Sequence, residues 1–465
     1  MESFEYAGYW WLPSDEGTKV PGTVRFSQEA GIELSLLGSF KPVEQMLTSP
    51  EYELVLGLTE EGKVFTLFDC LETNSRMTAP GFVTQRLYAR LAFMGAHFSS
   101  TAGMRFTKAT TQYTYLADWA GVTGFTPEWE TEGGQLAKFH MTYSYPDEVK
   151  SNTSYGELAL TYGFESKGDV LSDMALRQSI MFRLHYTDET SIDDVFTKFV
   201  TPMQNFLTLA TGSPNAVVEL VVYSRANVRV SKDGSDRPLP IEVFFQRLFD
   251  EPTRERRLTP DRLLFALSDI TADFDAVMKS WLDVASELST FFGLLFGFRY
   301  APFTYVQQRF LNVAQAVETY HRARKHGSVM DQAEFDSILE AVVAATPEPR
   351  RDWLKQRLQH GNEPSLRRRV RELYNSAKDV MEPVAETEKF VATVVNTRNY
   401  HTHYSPELKD IAATEPTDLM YLVEKLRILA ESSVLEEVGI NGDRRLQLFK
   451  RNRNYNWVCS LPLNP

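Results

Sequence analysis

The sequence predicts an α+β chain of more than one domain: a β-rich antiparallel first part, then an all-α helical bundle. Three observations carry this. At 465 residues the chain is too long for one ordinary core. Its first two hundred residues alternate apolar and polar positions in short runs broken by Gly, Pro, Asn and Asp. After Thr259, nearly every apolar residue falls at helical spacing. The expected divisions are 1–250 (β-rich), 251–300 (a helical connector) and 301–465 (the bundle).

The strands come first. "EYAGYWWLP", "GTVRFS", "GIELSLLG", "YELVLGLT", "KVFTLFD", "KFHMTYSY", "GELALTYGF" and "QSIMFRLHY" all read as strands of an antiparallel sandwich or barrel-like domain. Tyr9, Trp10 and Trp11 are expected in the core and in cross-strand pairs. From Thr190, "SIDDVFTKFVTPMQNFLTLATG" has helical spacing and a terminal glycine. "NAVVELVVYS" and "IEVFFQ" then resume strand patterns around the turn-rich "SKDGSDRPLP".

Thr259-Pro260-Asp261 predicts a capped helix start. Behind it Leu263, Leu264, Leu267, Ile270, Phe274, Val277, Met278, Trp281, Leu282, Val284 and Leu288 form one apolar stripe. Further helices are predicted in "TYVQQRFLNVAQAVETYHRARKHG", 333–345, 349–360 and 365–381. Another runs from about Pro383 to Tyr400, with Val384, Val391, Val394 and Val395 as its apolar side. The last runs from a Thr417 cap to Gly439-Ile440, a pair suited to a left-handed stop followed by an apolar contact.

Composition narrows the function classes. The longest apolar stretch, "LSTFFGLLFGF", is shorter than a bilayer span and ends in Arg299, so it predicts a buried helix and no membrane partner. The N-terminal "MESFEYAGYWW" lacks the pattern of a signal peptide. Cys70 and Cys459 are too few for a disulfide framework or a cysteine-based zinc site. A cytoplasmic protein without cofactor is expected. The net charge of −13 is unevenly shared. Residues 1–250 hold 20 Lys+Arg against 32 Asp+Glu, and 251–465 hold 29 against 30. Residues 350–378 are the one basic run, with Arg367, Arg368, Arg369 and Arg371 at its centre.

Within "VVNTRNYHTHYSPE", Arg398, Asn399, His401 and His403 crowd into six positions. Three readings compete. Cations at a helix C-terminus complement the macrodipole, worth about 0.3–1 kcal/mol each. His401 and His403 are a potential metal pair, but no Glu-x-x-His, cysteine pair or carboxylate run accompanies them. The third is RNA cleavage, where 2′-OH attack on the adjacent phosphodiester needs a base, an acid and positive charge. Histidine titrates near neutrality, and the arginine fork grips phosphate without losing its charge.

Arg398-Asn399-Tyr400-His401-Thr402-His403 resembles the Arg-x4–6-His signature of the HEPN ribonuclease superfamily. It also stands where that superfamily has it, at the end of a long helix before a loop and one more long helix. With "RFLNVAQAVETYHR" and "LVEKLRILAESSVLEEVGI", residues from roughly 300 to 440 look like the HEPN domain of ApeA-type anti-phage proteins. There a β-rich domain precedes the nuclease, as it is expected to here.

The resemblance implies that His403 is the general base or acid, that Arg398 holds the scissile phosphate, and that Asn399 orients one or the other. His401 matches no family-wide role and is left between substrate contact and plain exposure. Glu318 and His321, in "VETYHR", match a motif-like stretch and stand equally as accessory residues or an intrahelical polar pair. Tyr400 and Tyr404 are expected to pack. HEPN nucleases pair two protomers so that their motifs meet, which implies a homodimer through the helical domain. The expected activity is metal-independent endoribonuclease cleavage of host RNA, with tRNA a fitting target, in abortive infection. Arg367, Arg368, Arg369 and Arg371 would hold RNA phosphates. The acidic first part is then a candidate sensor and restraint responding to a phage-derived trigger. The rival reading is a catalytically inactive HEPN-type dimer that binds a nucleotide or partner. The intact Arg398/His403 pair favours the enzyme.

Overall fold

The computed structural model describes residues 1–42, 48–78, 81–169, 171–230, 236–247, 257–301, 304–325 and 327–462. The chain divides into two compact units, Met1–Asp283 and Val284–Pro465. The division falls inside the stretch 251–300 that the sequence suggested as a connector.

In the first unit, β1 (Phe4–Leu12), β2 (Asp15–Ser27), β3 (Gly31–Leu36), β4 (Glu51–Thr59), β5 (Val64–Met77) and β6 (Val83–Met94) are all antiparallel to their neighbours. They follow one another round the cycle β1-β2-β3-β6-β5-β4, and β4 pairs back onto β1. This shuts a barrel and removes its free edges. Period-two alternation sends Val24, Phe26, Ile32, Leu34, Phe65, Leu67 and Leu87 inward around Trp10. Gly57 is fixed by that tryptophan: a Cβ there would sit 2.2 Å from the indole ring. Trp10 and Trp11 are buried as expected, whereas Tyr9 faces solvent.

Beyond the barrel come β7 (Phe106–Tyr113), β8 (Phe125–Glu132), β9 (Gln135–Tyr143), β10 (Val149–Thr153), β11 (Gly156–Asp169) and β12 (Asp173–Thr190). β13 (Val217–Tyr223), β14 (Val228–Val230), β15 (Asp236–Pro238) and β16 (Ile241–Phe244) complete the set. β6 joins barrel to sheet by changing partner along its length. Its Ala89 faces Ile32 of β3, and its Ala92 and Phe93 face Phe244 and Val243 of β16. The sheet then continues β16-β13-β7-β12-β11-β10, while β8–β9 and β14–β15 are separate ribbons. Of the turn-rich "SKDGSDRPLP", residues 231–235 lie outside the described residues.

The helix expected from "SIDDVFTKF…" ends as α1 (Thr201–Thr211) at Gly212, whose φ of 66° is the left-handed stop a glycine permits. The predicted helix start at Thr259 is corrected. Thr259-Pro260-Asp261 makes a single turn, with Arg262 N–H donating to Thr259 O. Leu264 and Phe265 then donate instead to the carbonyl of Ala210 at the end of α1. Helix resumes at Leu267, and α2 (Phe274–Glu287) follows. The whole predicted stripe from Leu263 to Leu288 is buried all the same. Trp281 Nε1 donates to Pro202 O and its ring meets Phe206, which pins α2 to α1.

The second unit holds α3 (Ser289–Tyr300), α4 (Val306–Arg324), α5 (Gln332–Ala345), α6 (Arg351–Leu358), α7 (Leu366–Ser376), α8 (Thr387–His403), α9 (Pro416–Glu437), α10 (Gly442–Arg451) and α11 (Arg453–Ser460). α4 packs on α3, α7, α8 and α9, and α7 also packs on α8. "LSTFFGLLFGF" is the expected buried helix, with Phe291, Phe292, Leu295 and Phe296 enclosed. At the end of α9, Gly439 has φ 82° and Ile440 is fully buried, as expected of that pair. Thr417 is not its cap, since Glu415 holds that position. Charge is buried here too: Glu431 accepts from both Arg299 and Arg427 at 2.6 Å, tying α3 to α9. No described helix is long and apolar enough to cross a membrane.

Candidate active site

The helix predicted to end at Tyr400 runs on to His403, so the entire Arg398–His403 stretch is helical. It starts later than expected, at Thr387, because Val384 and Ala385 sit in the preceding turn. Tyr404 ends it in the left-handed region (φ 52°, ψ 38°), with its N–H donating to Tyr400 O. A non-glycine residue with positive φ is uncommon, and a bulky one more so.

Helical geometry at about 100° per residue then sorts the side chains. His401 and His403 are two residues apart and point to opposite sides. His401 is buried, and its Nε2–H donates to Ala413 O at 3.1 Å. One turn earlier, the fully buried Thr397 accepts from Ala413 N–H at 2.9 Å. Together they clamp the loop after α8 back onto the helix. His401 is therefore a packing and tethering residue, and cannot converge with His403 on one ion. His403 is exposed.

Asn399 and His403, four apart, share a face. Arg398 lies about 140° round the helix from His403. Its Nη1 reaches Asn399 Oδ1 at 3.4 Å, which draws the guanidinium toward the face of His403. Thr402 is occupied elsewhere, its hydroxyl donating to Arg398 O at 2.7 Å. Tyr400 packs edge-on against both His401 and Tyr404.

The availability of these groups sets them apart. Among the described histidines of this unit, His321 is bonded to Glu372, His360 to Glu363 and His401 to Ala413. His403 alone keeps both ring nitrogens uncommitted; His326 lies outside the described residues. Arg398 likewise has no carboxylate partner among the described residues.

The accessory residues are placed differently. His321 is buried on α4, with Nε2 2.7 Å from Glu372 and Nδ1 3.3 Å from Arg369 Nη1. A guanidinium only donates, so Nδ1 must carry a lone pair and Nε2 the proton. Burial pushes the His321 pKa below its ordinary value, and Arg369 adds to this against the opposing pull of Glu372. Glu318 instead pairs with Arg322 along the same helix. The two are not drawn into one site.

The basic run is also largely committed. Arg368 bonds Glu372 at 2.7 Å, and Arg371 holds Glu388 through two hydrogen bonds. Arg369 is buried and donates to Pro364 O and Glu363. Arg371 above all holds the Glu388 carboxyl below its usual range, and the half-buried Arg367 adds to this. No cluster among the described residues is suited to hold a metal ion.

A closed antiparallel barrel with its appended sheet, followed by a helical bundle whose long helix ends in Arg-Asn-x-x-x-His, defines the class: a β-rich domain joined in sequence to a HEPN-type helical domain. The chain belongs to the ApeA family, since the family described as ApeA N-terminal domain 1 matches residues 5–281 and that described as Apea-like HEPN matches 311–444. HEPN domains are generally ribonucleases. No curated protein and no solved structure matches the chain.

Proposed function

We propose that this protein is a metal-independent endoribonuclease, an effector of anti-phage defence that cuts host RNA, with tRNA as a fitting substrate. The observation that carries this reading is the imidazole of His403, on the same helix face as Asn399 and beside Arg398, with no partner for the imidazole and no carboxylate for the guanidinium among the described residues. His403 exchanges the proton of the 2′-OH or of the leaving 5′-oxygen, and Arg398 neutralises the phosphorane. One protomer offers one such histidine while the reaction needs a base and an acid. The complete site is therefore assembled from two copies about a two-fold axis. The acidic β-rich part, with −12 of the chain's −13, serves as sensor for a phage-derived trigger.

Comparing the intact chain with His403→Ala tests this. The intact protein should cut RNA to 2′,3′-cyclic phosphate and 5′-hydroxyl ends in the presence of chelator, and the variant should lose about 10²–10⁴-fold. Activity that disappears in chelator and returns with magnesium would refute the metal-free mechanism. An intact chain that binds RNA without cutting it would favour a binding protein.

A further inference from the structure

The basic run from 350 to 378 divides in two when folded. Its second half, on α7, is neutralised by Glu363, Glu372 and Glu388. Its first half, on α6, is not. There, among the described residues, only Arg351 is engaged, donating to Thr346 O and Ala344 O and so capping the end of α5. Leu354 and Leu358 are half-buried on the same side of α6 as Arg351. Arg350, at the cap of α6, and Trp353 and Arg357 fall at spacings of three and four residues, so they form one stripe about 100° round the helix from that side. All three are exposed, Trp353 by 55%; Lys355, two residues from Trp353 and from Arg357, is exposed on the opposite face. Arg350, Lys355 and Arg357 have no carboxylate partner among the described residues. Residues 348–358 hold four cationic side chains against Glu348 and Asp352, in a chain of net charge −13.

We propose that the Arg350–Trp353–Arg357 stripe is a contact site for single-stranded RNA. The inference rests on the ribonuclease reading for its occupant, and on the stripe's own chemistry for its mode. An indole left in water and flanked by two uncommitted guanidiniums offers a stacking face for an unpaired base. The two arginines lie about 10 Å apart along the helix axis and grip phosphates on either side of it. A duplex, whose bases are already stacked, cannot use the ring in this way. The contact reads strandedness and charge rather than sequence.

The test uses the full chain carrying His403→Ala, so that RNA is bound without being cut. Anisotropy of a labelled unstructured oligoribonucleotide is measured over a range of salt. Trp353→Ala should weaken binding about ten-fold or more, and Trp353→Tyr, which keeps a ring, should restore most of it. Arg350→Gln with Arg357→Gln should weaken binding and flatten the dependence of log K on log salt by about 1.4, roughly 0.7 for each lost phosphate contact. A duplex of the same length should be insensitive to Trp353→Ala. Affinity and salt slope unchanged in all variants overturns the proposal, as does absence of oligoribonucleotide binding at low salt. So does a change in molar mass by light scattering in Trp353→Ala with RNA binding intact, since the stripe then meets protein. Cleavage by the otherwise unaltered chain is assayed separately. Variants that bind like their parent while that chain cuts RNA defeat the stripe and spare the nuclease. Variants that lose binding when that chain cuts nothing support the stripe and defeat the nuclease.

Discussion

His401 donates to the carbonyl of Ala413 while His403, two residues later, faces solvent with no partner among the described residues. The two histidines of one motif therefore separate by effect. His401→Ala removes a buried hydrogen bond, orphans the Ala413 carbonyl and leaves a void beside Phe310. It should lower stability by about 1–3 kcal/mol. His403→Ala should leave the melting temperature nearly unchanged and abolish cleavage. Thermal melts of both variants, read beside the RNA assay, check the division. Equal destabilisation by the two would contradict it.

The triad of His321, Glu372 and Arg369 sets a pH response. The folded state disfavours protonation of His321, so its pKa lies below the ordinary value near 6.5. Between the folded value and 6.5 the unfolded chain binds more protons. Stability therefore rises with pH up to about 6.5 and is lost on acidification. The Glu372 carboxyl, held below its usual range by Arg368 and then by His321, acts in the same direction further into acid. His321→Gln keeps a polar side chain but does not titrate. Its melting temperature should fall less between pH 7.5 and 5.5 than that of the unaltered protein. A steeper fall in the variant would show that His321 is charged when folded.

Much of this was legible in the sequence, for identifiable reasons. Strands β1 to β5 announce themselves because their apolar faces alternate cleanly with Thr, Arg and Glu. β6 and β7 do not show in the sequence pattern. In "VTQRLYARLAFM" the buried Gln85 stands on the inward face among Leu87, Ala89 and Leu91, and in "FTKATTQY" buried Thr111 takes the place of an aliphatic side chain. The barrel's closure was invisible, since it rests on β1 meeting β4 and β5 meeting β6. In the helical half, spacing located the motif and the stripe of Leu263 to Leu288. It did not reveal that Arg369 and His321 are interior partners, because both sit in runs that look solvated. Nor could it separate His401 from His403, which requires knowing that the helix continues through both.

Tyr404 and Asp69 are the described non-glycine residues with positive φ. Tyr404 adopts the left-handed conformation to end α8 directly after His403, and the residue is 68% exposed. Little packing compensates the strain, which is about 1–2 kcal/mol for a side chain bearing a Cβ. Replacing it by glycine should therefore leave the protein more stable than replacing it by alanine, by about 1 kcal/mol. Chemical denaturation of the two variants measures the difference. Alanine proving the better substitute would mean that the turn is not held left-handed.

The last prediction concerns assembly. Arg398 and His403 of one chain are about 140° apart on the helix, and only the bend of the guanidinium toward Asn399 brings them toward one face. A phosphodiester cut by two protomers' motifs needs positive charge and two proton-transfer groups, and neither Arg398→Ala nor His403→Ala alone removes both kinds from a dimer. Each homodimer variant should be inactive, having lost every arginine or every histidine of the site. Mixing the two before assembly gives heterodimers in which one chain supplies Arg398 and the other His403. Those heterodimers keep one arginine and one histidine, so they should recover a small part of the cleavage, short of full rate by the missing second proton-transfer group, with random pairing making about half of all dimers mixed. The recovery should track the exchange of subunits, rising with mixing time and falling on dilution below the dimerisation constant. Two intact but separate single-chain sites would give no recovery at any mixing ratio. A monomer by light scattering that cuts at full rate would rule out the shared site altogether.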